Sequence, residues 1–121
     1  MNAAAASAPA TTQLEWSPTL CDGKRVNFAE AEKACAALGP EWRLPERLEL
    51  EPTLDLTRFN PAVAPERAAD TKSGAYWTRT EYAPDPSCAW IVHFYYGIVN
   101  AFHRGYSNAF VRACRVVPAG Q

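Results

Sequence analysis

CAWIVHFYYGIVNAF, residues 88–102, alternates like a strand, meets a glycine and starts again. Trp90, Val92 and Phe94 share one side of the first run and Ile91, His93 and Tyr95 the other, because successive side chains on a strand point to opposite faces. The first set reads as the inward row, which directs Ile91, His93 and Tyr95 toward solvent or a ligand. GIVNAF, residues 97–102, supplies a second strand. Two further runs share this character: AYWTRTEY at 75–82, where Tyr76 is set against Trp77, and FVRACRVV at 110–117. The second half of the chain is therefore expected to be an antiparallel sheet.

Helical signals come first. In NFAEAEKACAALG, residues 27–39, Asn27 is placed to cap a helix with Glu30 as its capping-box partner. Phe28, Ala31, Cys35 and Leu38 fall on one face, and Gly39 supplies the stop. EWRLPERLELEP, residues 41–52, begins with the apolar anchor Trp42 and Leu44; Pro45 suits a first helical turn, Leu48 follows, and Pro52 ends it. From Pro52 to Gly74 prolines and isolated apolar residues predict a long, mostly irregular surface loop. The fold class is α+β, two helices followed by a twisted antiparallel sheet with long irregular loops.

The 121 residues suit one domain, read as 15–121, behind an Ala/Pro-rich lead-in at 1–14. The lead-in lacks the basic and leucine-rich regions of a signal peptide, and reads as a flexible segment or the trimmed edge of a longer protein. No apolar run is long enough to span a membrane. A net charge of −1 gives no overall basic excess to suggest a nucleic-acid partner. Cys21, Cys35, Cys88 and Cys114 show no Cys-x-x-Cys spacing, which argues against zinc ribbons and thioredoxin chemistry and leaves both disulfides and free thiols open.

WRLPERLEL, YWTRTEYA, AWIVHFYYGIVNAF and FVRACR occur in that order. Together they resemble the collagen-like-protein C-terminal (Lcl-type) domain, a branch of the C-type lectin-like fold, over about Trp16 to Val117. The resemblance implies termini that lie close together and long loops gathered at one end of the sheet. It also implies a bridge between Cys35 and Cys114. Calcium-dependent sugar recognition in C-type lectins uses Glu-Pro-Asn or Gln-Pro-Asp and Trp-Asn-Asp segments, and none occurs here. The reactive cysteine pair of the formylglycine-generating enzymes, relatives of this fold, has no evident counterpart either.

Lys, Glu, Gln, Met and Trp occur 18 times in residues 1–90 and not once in 91–120. At a usual share of about one-fifth, such a gap would arise roughly once in a thousand stretches of this length. These five are the residues that an asparagine codon ending in a pyrimidine cannot reach by replacement of its adenines. That is the signature of a diversity-generating retroelement, which copies a template with errors at adenines into the 3′ end of a target gene. Its products often carry C-type lectin-like domains.

The candidate variable region is 91–110. Its contact residues are expected at Ile91, His93, Tyr95, Tyr96, Ile98, Asn100 and Ala101, continuing through Phe102, His103, Arg104, Tyr106, Ser107, Asn108 and Phe110. Aromatic rings with Asn and Ser are also what antibody paratopes use. Tyr95, Tyr96, Phe102 and Tyr106 are the expected hot spots. The fixed scaffold is expected at Trp42, Trp77, Trp90, Val92, Phe94, Gly97, Val99, Val111 and Arg112.

The expected ligand is a protein or glycan, bound without catalysis, cofactor or metal. No Asp or Glu lies beyond Asp85 to join His93 and His103 in a metal site. A Cys/His nucleophile would need a third group to orient its base. The competing readings are an undiversified adhesin or structural domain of a cell envelope or phage particle, and a degenerate relative of the formylglycine-generating enzymes.

Overall fold

In the computed structural model, which describes residues 12–118, the capping box is formed. Asn27 Oδ1 accepts from the Glu30 N–H at 2.9 Å and Glu30 Oε1 accepts from the Asn27 N–H at 3.3 Å, starting helix α1, Phe28–Ala36. Two orphan donors are thereby satisfied, a contribution of about 1 kcal/mol. Phe28, Ala31 and Cys35 are buried as expected. Leu38 is not: it lies past the last helical residue and is 44% exposed.

The second helix is shorter than the sequence suggested. Helix α2 is Arg47–Leu50, with Glu46 as its N-cap, so Pro45 precedes the helix instead of opening it. Leu50 rather than Leu48 is the buried leucine, and Pro52 sits inside a 3-10 turn, Glu51–Thr53. The segment 52–74 is irregular but not wholly superficial. Leu54 bridges to Val63, Ala62 and Val63 are buried, and one helical turn, α3, Pro65–Ala68, interrupts it.

Strands β2 (Ala75–Glu81), β3 (Cys88–His93) and β4 (Ile98–His103) form an antiparallel sheet in that order. The β3–β4 hairpin runs without a register shift from Cys88↔His103 to His93↔Ile98. It closes through residues 94–97, where Gly97 adopts φ 69, a conformation that suits glycine. The last strand, β5 (Arg112–Pro118), does not join this sheet. It pairs antiparallel with β1, Thr12–Thr19, from Thr12↔Pro118 inward. The final three residues of the expected lead-in thus belong to a strand; residues 1–11 lie outside the described residues.

The sheet β2-β3-β4 is covered on both faces, and this overturns one expectation. Trp77 and Ile91 pack with Phe28, Ala31, Cys35, Leu44 and Val111 on one side; Tyr76, Val92 and Phe94 pack with Leu50 and Val63 on the other. Ile91, expected at the contact surface, is 0% exposed. Alternation separates two faces, but it cannot say that either is wet once α1 covers one and the α2 to α3 region covers the other. Trp90 keeps its side of the strand yet is only half-buried, roofed by the Arg47 guanidinium 4.2 Å from its ring and flanked by Tyr82.

Polar contacts lock the segment around α2 onto β2. Arg43 donates twice to Glu49, at 2.8 and 2.9 Å, Thr80 donates to Glu46 at 2.6 Å, and Arg79 pairs with Glu46 at 3.0 Å. Val111 and Arg112, two of the residues expected in the scaffold, are buried. Arg112 donates to the Asp70 carboxylate and carbonyl and to the Thr71 hydroxyl. Val99 packs partly buried against the second cluster, and Trp42 against the first, beneath the Arg115 guanidinium. Cys35 and Cys114, the pair implied as a bridge, are both buried free thiols. No helix among the described residues is long and apolar enough to cross a membrane.

Candidate functional site

Beyond Ile91 the first-cluster face of the sheet runs out into an open cleft of about 480 Å³. Three elements build its wall from predicted residues: β3 contributes His93, the hairpin turn Tyr95 and Tyr96, and β4 Phe102, while the crossing to β5 adds Asn108 and Phe110. Six of the fourteen predicted contact residues therefore meet in one place. Arg25, Ser73, Gly74 and Ala75 complete the lining. An adjoining open cleft of about 700 Å³ shares Arg25, Asn108 and Phe110 and adds Gly23 and Lys24.

The wall is stiffened by ring contacts. Tyr96 lies against His93 at 4.8 Å and edge-on to Tyr95 at 4.9 Å, and Tyr95 in turn meets Phe59 at 4.9 Å. His93 Nδ1 is positioned to accept from the Tyr95 and Tyr96 backbone N–H groups at 3.3 and 3.4 Å, so its turn is held by its own side chain. Burial lowers the His93 pKa below its ordinary value, favouring the neutral imidazole in which Nδ1 is an acceptor. Tyr96 nevertheless remains 67% exposed.

Gly74 is required by this wall. A Cβ there would stand 2.8 Å from the ring edge of Phe110, which itself packs against Tyr76 at 5.5 Å. The Arg25 guanidinium lies over that ring, 5.9 Å from its centroid. Neither Lys24 nor Arg25 forms an ion pair among the described residues, so the cleft mouth carries unneutralised positive charge.

The remaining predicted residues do not all join the cleft. Ile98 and Asn100 share its sheet face along β4 and are exposed, whereas Ala101 lies on the opposite face and is half-buried. His103, Arg104 and Tyr106 form a separate group at the far end of β4. There His103 stacks on Tyr106 at 4.2 Å, and Arg104 reaches over Phe28 and donates to the Pro86 carbonyl. Ser107 is half-buried, its N–H spent on the His103 carbonyl. Phe102 serves the core as well as the cleft, edge-on to Trp77 at 6.2 Å. Ile91 belongs to the core alone.

Arg25, Phe59 and Gly74 were missed in the sequence. Lys24-Arg25 was visible as a basic pair, but nothing local says that it folds beside Phe110. Phe59 sat unremarked within the irregular segment. Among the described residues no group of three or more His, Cys, Asp or Glu side chains is arranged to hold a metal.

The family model described as the Lcl C-terminal domain matches residues 8–115 of the chain. No curated protein sequence matches it.

Proposed function

Because the chain belongs to the Lcl C-terminal domain family, we propose that it is an adhesin-type, ligand-binding module of C-type lectin-like fold whose contact surface is the aromatic cleft. The observation that carries this reading is the convergence of His93, Tyr95, Tyr96, Phe102, Asn108 and Phe110 from three separate chain segments onto one cleft. Aromatic side chains give large, rigid contact area at low entropic cost, and Asn108 and Arg25 add polar recognition at the rim. The pairing of β1 with β5, which sets Thr12 opposite Pro118, supports the C-type lectin-like assignment.

The surface is diversified by a retroelement, and the ligand is a protein or glycan bound without catalysis. The composition of 91–120 supports this, as does the exposure of Tyr96, Ile98, Asn100, Arg104, Tyr106 and Asn108. Ile91 is withdrawn from the contact set, since a core position tolerates few replacements. Sequencing the codons for residues 90–115 and the flanking DNA in sister isolates tests the reading. Differences confined to codons where a neighbouring repeat carries adenine, concentrated at the exposed positions, are expected. A fixed sequence with no repeat would instead favour the undiversified adhesin or structural domain.

A further inference from the structure

Strand β4 ends its sheet, and its outer edge is open. Arg104 N–H donates to the Ser87 carbonyl, and the β3–β4 register continues unshifted from that pair. In an antiparallel ladder the bonding residues alternate, so Phe102, Asn100 and Ile98 bond to Ala89, Ile91 and His93. The backbone groups of Val99, Ala101 and His103 therefore point away from the sheet. Two of these are already used: Asn100 Oδ1 accepts from the Ala101 N–H at 2.8 Å, and the His103 carbonyl accepts from Ser107. Val99 N–H, Val99 C=O, Ala101 C=O and His103 N–H remain, with no other strand or bridge on that edge among the described residues.

The other edges of the molecule are blunted. β2 is closed by backbone bonds to Phe110 and Pro45, and β5 by Arg43. β1 carries Glu15, Pro18 and a register shift between Trp16 and Thr19, the devices that keep an edge from pairing. β4, with the sequence IVNAFH, has no formal charge, no proline and no bulge.

We infer that the β4 edge receives an extended polypeptide strand from a partner protein, added antiparallel to β4, with an acidic residue toward its N-terminal end near Arg104. Backbone geometry dictates a strand, since only another chain presents donors and acceptors at the spacing of Val99 to His103. Charge selects the partner's character. Arg104, just past the end of β4, donates to the Pro86 carbonyl and lies over Phe28 but forms no ion pair among the described residues, and no Asp or Glu follows Asp85 in the chain. A second copy paired through its own β4 would bring another acid-free strand and leave both arginines unmatched. The strand addition rests on the backbone of β4, and the partner's acidic residue on Arg104; the inference goes beyond the cleft reading, and the strand addition stands whether or not the side chains of 91–110 are diversified.

The test is selection of short random linear peptides on the immobilised protein, followed by amide hydrogen exchange with each selected peptide in solution. Without peptide, Val99 and His103 amides exchange fast and Asn100 and Phe102 slowly. Selected peptides are expected to be acidic, to protect Val99 and His103, and to lose binding when alternate peptide residues are N-methylated. His103→Pro, which removes one of the two free edge donors and leaves the β3–β4 ladder its own, should weaken them about tenfold, the equivalent of one lost hydrogen bond. Tyr96→Ala, in the cleft, should leave them unchanged, so failure of the edge and failure of the cleft are read separately. Peptides indifferent to N-methylation, an absence of enriched peptides, or concentration-dependent protection of Val99 and His103 by the protein alone would overturn the inference.

Discussion

The indole N–H of Trp77 donates to the carbonyl of Val26 at 2.8 Å. Through this bond β2, reached late in the chain, holds the segment that launches α1. Phe28, the first residue of that helix, meets the same indole edge-on at 5.4 Å. Trp77→Phe keeps most of the packing but leaves the Val26 carbonyl without this partner. It should lower stability by about 2 kcal/mol, read as a reduced urea midpoint with an unchanged slope.

Ile91 and Tyr96 distinguish core from surface within one hairpin. Ile91→Ala should cost about 3 kcal/mol, since the position is fully enclosed and its neighbours collapse only in part. Tyr96→Ala should change stability by less than about 0.5 kcal/mol while weakening any ligand held in the cleft. Parallel chemical denaturation of the two variants measures both, and a large loss at Tyr96 would place that ring in the core.

Burial raises the thiol pKa of Cys35 to about 12, with nearby Cys114 and Cys21 adding to the effect, and raises that of Cys114 to about 11. Both folded values exceed the unfolded value of 9.0. The stabilisation is therefore complete below pH 9 and is lost as pH climbs toward 11–12, because the unfolded chain releases those protons first. Urea midpoints should fall on passing from pH 8 to pH 10, and fall less in Cys35→Ala. At pH 8 iodoacetamide should leave Cys35 and Cys114 unmodified in the folded protein and label both once it is unfolded.

What could be read from the sequence follows a physical line. The capping box at Asn27 and Glu30 is local, and the side-to-side alternation of β3 is local too; both were legible and both are present. Which side of β3 meets water depends on what else packs there. Ile91 was misplaced because α1, more than fifty residues earlier, covers its face. Strand β1 escaped notice because its pairing with β5 is made across nearly the whole chain. In the site, Tyr96 and Phe102 were legible as aromatics on a hairpin. Arg25 and Phe59 were not, since their role comes from where loops land.

The β1–β5 pairing also has a mechanical side. Because Thr12 stands opposite Pro118, tension applied between the two ends of the domain loads the outermost pair first. Such a load peels the strands apart one rung at a time, the weak direction of a hairpin. A domain held by a single end and pulled through whatever sits in its cleft feels no such unzipping, for the force then enters through the β2-β3-β4 body. As an adhesive module it would hold best at the tip of a stalk and worst as a link strung within one.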